Sequence, residues 1–157
     1  MRPDRFTSRR ARRNRAVNAI VQHSHEPVAV HVRGDCMAPL LTDGARVHVR
    51  AYASYWPGDV VVLRNNAGFS AHRVIGYLPR RRGIHLVTRG DHSLEADRPR
   101  ALQDVLGRIC GGDCRAEILR IPLTTRLLAL LRFTTFIASA TLRALRPTST
   151  SGGLPTA

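Results

Sequence analysis

The sequence predicts a mainly β chain, a coiled antiparallel barrel-like sheet followed by one C-terminal amphipathic helix. Three observations carry this. Between Pro27 and Ile121, short runs rich in Val and Ile are separated by turns built from Gly, Pro, Asp and Asn. Nothing between those runs has the length and 3.6-residue period of a crossover helix, which argues against a parallel α/β sheet. From Leu123 onward the composition shifts to Leu, Phe and Ala with spaced arginines. A chain of 157 residues has room for one domain with a real core plus tails. We divide it into a basic arm over 1–26, a β domain over 27–121, a helix over 122–146 and a disordered tail over 147–157.

Taken in order, Met1 to Arg15 holds seven arginines and no apolar periodicity. It reads as a mobile arm, either a solubilising tail or a contact for anionic lipid or nucleic acid. Val17 to Val21 predicts a short helical turn. His23 and His25 pair in the following loop, but no further ligand is spaced to complete a metal site, so no metal and no cofactor is expected. Strands are predicted over 28–33, 45–50, 59–64, 70–76, 83–88, 104–110 and 114–121. The turns between them include Thr42-Asp43-Gly44, Trp56-Pro57-Gly58-Asp59, Asn65-Asn66-Ala67-Gly68 and Gly111-Gly112-Asp113. Many short strands with tight turns imply a coiled antiparallel barrel. Cys110 and Cys114 flank the Gly-Gly-Asp turn and would face each other across a hairpin, as a reduced pair or as a cross-strand disulfide under oxidation.

Leu127 to Leu142 is mostly apolar but interrupted by Arg132, whereas an unbroken span needs roughly 20 apolar residues. At 100° per residue, Arg132, Thr135, Ser139, Arg143 and Arg146 fall on one stripe, and apolar residues cover most of the remaining circumference. This pattern suits a helix lying in a membrane interface or docked on a partner; a spanning helix anchored by Arg126, Arg143 and Arg146 is the alternative.

The net charge is +14, and all 25 basic residues are arginine. Arginine stays protonated at working pH, so any mechanism that needs a neutral lysine is excluded. Seven histidines remain as candidate bases near neutral pH. Three cysteines make neither a disulfide framework nor a zinc set. The sequence shows no signal peptide, since Ala16 to Val21 is too short for its apolar core. Specific nucleic-acid binding is not expected: there is no helix-turn-helix pattern, and one Trp, three Tyr and four Phe make no interleaved aromatic platform.

The chemistry concentrates in three segments. Cys36 lies in Gly34-Asp35-Cys36-Met37-Ala38-Pro39, at the end of a strand and on a tight turn. That placement presents a nucleophile, although a small buried thiol beside a turn would look the same. His72 is set among β-branched neighbours in Ala71-His72-Arg73-Val74-Ile75. Asp91 and Asp97 belong to Thr88-Arg89-Gly90-Asp91-His92-Ser93-Leu94-Glu95-Ala96-Asp97, a strand end opening into an acidic loop. Thiol, imidazole and carboxylate are the parts of an activated nucleophile.

Together these segments resemble the signal peptidase I family, whose catalytic core is shared with LexA-type self-cleaving repressors. Gly34 to Pro39 is similar to the Ser-Met-x-Pro nucleophile box, and Trp56-Pro57-Gly58-Asp59-Val60-Val61-Val62 to the Gly-Asp-(Ile/Val)-Val strand. Ala71 to Ile75 resembles the His-Arg-Val-Ile box of the archaeal and endoplasmic-reticulum branch. Thr88 to Asp91 with Asp97 resembles the Lys-Gly-Asp-Asn-Asn box and its trailing aspartate, and Val105-Leu106-Gly107-Arg108-Ile109 the strand after it. The resemblance covers about residues 30–110. It implies a signal-peptidase-like β domain and an endopeptidase that binds a peptide or preprotein as an extended strand and cuts after small residues. It places Cys36 as nucleophile where the family keeps serine, His72 as base, and Asp97, or else Asp91, as orienting acid. It puts the oxyanion hole at backbone N–H groups near Asp35 and Cys36, with Met37 and Pro39 in the substrate groove.

Cysteine in place of serine fits a histidine partner, because a thiolate forms more readily than an alkoxide; it equally fits an altered or lost activity. The family's N-terminal membrane anchor is not apparent. Membrane association would then come from the C-terminal helix and the arginine arm on an anionic surface, with a cytoplasmic location otherwise. The competing expectation is a non-catalytic peptide- or membrane-binding module on the same scaffold.

Overall fold

The computed structural model describes residues 16–145 apart from His25, Asn66, Ala67 and Arg82. The arginine arm before residue 16, Arg146 and the tail lie outside the described residues. The strands are β1 (Val28–His31), β2 (Arg46–Arg50), β3 (Val60–Asn65), β4 (Gly68–Arg80), β5 (Gly83–Arg89), β6 (Arg100–Ala101) and β7 (Val105–Gly112). They form one antiparallel sheet in the order β1-β2-β7-β3-β4-β5-β6, curled into a half-barrel, so the chain is mainly β as its sequence predicts. The central strand explains the run Val60-Val61-Val62-Leu63. Val60 and Val62 enter a cluster with Val47, Val49 and Ile109, while Val61 and Leu63 enter another with Val74 and Leu86. A strand buried on both faces has no reason to alternate. Bulges at His48/Val49, Val62/Leu63 and Val74/Gly76 add to the twist. The curl carries far enough for the Arg33 N–H to donate to the Phe69 carbonyl at 2.8 Å, although three strands separate β1 from β4 in the sheet.

The segment 114–121 is not the predicted strand. β7 already lies between β2 and β3, so both of its edges are taken and the chain after Gly112 cannot hairpin back onto it. Instead Ala116–Leu119 forms a single helical turn that buries Ile118. Cys110 and Cys114 therefore do not face each other across a hairpin; both are free, and the Cys110 thiol points to the His48 carbonyl at 3.4 Å. At the other end a helix over 16–23 seats Val21 in the core, and the Gln22 side-chain amide donates to the Val105 and Leu106 carbonyls at 3.4 and 3.3 Å. Residues 16–24 thus pack with the sheet.

We label these helices α1 (16–23), α2 (Ala116–Leu119) and α3, which spans Leu123–Leu145. α3 docks on the sheet through Ala129, Phe133 and Phe136, packed against Ile75 and Val87. Gly76 is needed at this contact, because a Cβ there would sit 2.5 Å from the Phe133 ring. Arg126 fastens the start of the helix: its guanidinium donates to the Pro57 carbonyl at 2.9 Å and to Asp59 at 3.3 Å. Asp59, only 1% exposed, also accepts the Trp56 N–H at 2.9 Å and lies 3.7 Å from Arg108. The amphipathic pattern is thus turned around. Arg132 approaches Asp91 at 3.9 Å, whereas Leu123, Leu127, Leu130 and Leu131 face outward, 45–78% exposed. By length and composition α3 is long and apolar enough to cross a membrane.

Candidate active site

After β1 the chain reaches Gly34, whose φ of 97° is open to glycine at little cost. Its N–H donates to Asp43 Oδ1 at 2.7 Å, and the Asp43 N–H donates back to Asp35 Oδ1 at 3.2 Å. Met37 and Leu41 are sunk into the core beneath this turn, and Cys36 is half-buried against the same cluster. The curl of the sheet then brings Cys36 against β4, where its thiol donates to the Ala71 carbonyl at 3.5 Å and lies close enough to the His72 ring to raise its pKa. On its other side the ring donates from Nδ1 to Asp97 Oδ2. Asp97 is fixed from two directions: the Thr88 hydroxyl donates to the same oxygen at 2.7 Å, and the Asp97 N–H donates to the Thr88 carbonyl at 2.8 Å. The carboxylate is therefore bonded to the imidazole, and the thiol lies beside the same ring.

Burial works against a charged imidazole, but the hydrogen bonds to Asp97 and Cys36, and the charges of those partners, outweigh it and raise His72 from 6.5 to about 9. The folded value lies above the unfolded one. The stabilisation this site contributes is thus complete below about 6.5 and is lost as pH rises through about 9. Burial pushes the Cys114 thiol up, with Asp113 and Cys110 adding to it.

The residues read from the sequence separate into two groups. Cys36, His72 and Asp97 come together. Asp91 does not join them: both of its oxygens bind Arg73, at 2.8 and 2.6 Å, because Arg73 is 4% exposed and needs a counter-charge. Met37 is not in a groove but 1% exposed in the core, where an apolar side chain beneath a tight turn gains most. The Asp35 carboxylate caps its own turn rather than facing the thiol. Pro39 is exposed. The backbone N–H groups of Asp35, Cys36 and Met37 donate to no other group among the described residues.

Three contributors were not assigned a role by sequence reasoning. Thr88 positions Asp97. Gly90 lets the loop pass the thiol turn, since a Cβ there would lie 2.8 Å from Cys36 Cβ and 2.9 Å from its carbonyl oxygen. His92 donates its N–H to that same carbonyl at 2.9 Å. A Gly between Arg and Asp at a strand end was the available signal for such a close approach. No protein-family model matches the chain, and no curated protein matches it.

Proposed function

We propose that the chain is an endopeptidase of the signal-peptidase type that cleaves precursor or leader peptides with Cys36 as nucleophile. The observation that carries this reading is the convergence of Cys36, His72 and Asp97: the carboxylate is bonded to the ring, and the thiol lies close enough to raise the pKa of the same ring. His72 takes the thiol proton, and the carboxylate of Asp97 holds the ring and its positive charge. The thiolate adds to the scissile carbonyl carbon, and the N–H groups around Cys36 receive the developing oxyanion. His72 then gives its proton to the departing amine as the C–N bond breaks. Water, deprotonated by the same ring, hydrolyses the thioester and regenerates the thiol. An extended peptide is laid along the seam between the edge strand β1 and the start of β4, where unpaired backbone groups of β1 can take a further strand. The outward leucines of α3 favour a bilayer surface as the place of work, with the helix lying on it rather than leaving the sheet.

Mass spectrometry of precursor-like peptides incubated with the protein tests this directly. Cleavage by the wild type and none by Cys36→Ala, at unchanged circular dichroism, is the expected result; iodoacetamide should also label Cys36 faster than Cys110 or Cys114. Undiminished cleavage by Cys36→Ala would remove the reading, and lipid binding without any cleavage would favour the non-catalytic module. Thr88→Val deletes one hydrogen bond to a charged group, so kcat should drop about tenfold, and Thr88→Ser should restore it.

A further inference from the structure

We propose that an arginine-lined pocket between α3 and the 89–99 loop holds the phosphate group of an anionic phospholipid; this rests on, and sharpens, the bilayer placement above. The cavity is about 860 Å³ and is lined by Arg89, Arg98, Arg132 and Arg143. Of the two acids on its wall, Asp97 is already bound to His72 and Thr88, which leaves Glu95. Asp91, beside it, is one carboxylate shared by Arg73 and Arg132. Positive charge is therefore left over. Arg98 is exposed with no hydrogen bond or ion pair among the described residues, and Arg143 bonds only to Ser139 on its own helix, at 3.2 Å to the carbonyl. Burial, with like-charge crowding by Arg89 and Arg73 and only partly offset by Asp91, makes a charged Arg132 costly here, which an incoming anion would relieve. Guanidinium forks match phosphate oxygens in pairs.

The surroundings favour an amphiphile over a free anion. Leu94 and Leu142 stand on the pocket wall, 92% and 65% exposed, and the outward leucines of α3 continue the apolar surface. A phosphodiester seated among the arginines would leave its acyl chains against leucine rather than water.

Co-sedimentation of the full chain with phosphatidylcholine vesicles, with and without phosphatidylglycerol, tests this. Arg98→Ser/Arg143→Ser removes two pocket charges. Arg115→Ser/Arg120→Ser removes two exposed charges outside it and leaves the arm in place. The pocket pair should lose about tenfold or more in affinity for the anionic vesicles and the outer pair less than about threefold. Equal losses would overturn the pocket while leaving a diffusely held membrane protein. No binding of the wild type to either vesicle would overturn both the pocket and the bilayer placement. Titration with inorganic phosphate separates the source. If the wild type binds it and the pocket pair does not, while vesicle binding by the pocket pair is intact, the site belongs to free phosphate and the lipid assignment falls. Peptide cleavage is a separate readout that none of these outcomes decides.

Discussion

Exchanging Asp97 for Asn is expected to remove roughly four orders of magnitude from kcat toward a peptide that the wild type cuts, with the fold retained. The carboxylate accepts from the ring nitrogen and faces a charge that an amide cannot match. Two further readings should move with it. His72 titrates at about 9 because burial, which lowers it, is outweighed by Asp97 and Cys36. In Asp97→Asn the midpoint seen by NMR of the ring should therefore fall, and the alkaline limb of kcat/KM, where the leaving amine loses its proton donor, should fall with it. Asp91→Asn is the internal control: its oxygens serve Arg73, so the His72 midpoint should stay near 9. Activity of Asp97→Asn within tenfold of the wild type would remove Asp97 from the mechanism.

Asp59→Ala should show the largest loss of stability, about 3 kcal/mol by denaturant unfolding. A carboxylate only 1% exposed holds the Trp56 N–H and draws Arg108 and Arg126 to the Pro57-Gly58 turn. Both arginine side chains are 32% exposed, so water takes over part of their charge and the cost stays at the lower end for a broken buried pair. Asp59→Asn keeps an acceptor for Trp56 and should lose less. A change below about 1 kcal/mol for the alanine variant would mean that Asp59 adds little to the hold that Ala129, Phe133, Phe136 and the Arg126–Pro57 bond already have on α3.

What was readable from the chain follows a physical line. The Val60-Val61-Val62-Leu63 run, the Gly-rich turns and the leucine-rich end specify local structure, and each reappears as a strand, a turn or a helix. The 114–121 segment misleads because Ile118, Leu119 and Ile121 follow a Gly-Gly-Asp turn, yet both edges of the preceding strand β7 are already taken. Asp91 and Asp97 are equivalent as letters; the path of the loop gives one to Arg73 and the other to His72. Met37 occupies a motif position that reads as groove, but beneath a tight turn an apolar side chain has the core within reach. The arginine pocket joins residues some forty apart in the chain and has no local signature at all.

His72 and Arg73 are neighbours on one strand and serve opposite masters, the first the thiol and the second the frame around Asp91. Consecutive side chains on a strand point to opposite sides, so a slip of one position would send the guanidinium to the thiol and the imidazole to the frame. The pairing of Asn65 with Gly68 at the start of β4 fixes the phase of everything downstream. Inserting or deleting a single residue there can leave a sheet standing with its chemistry turned inside out.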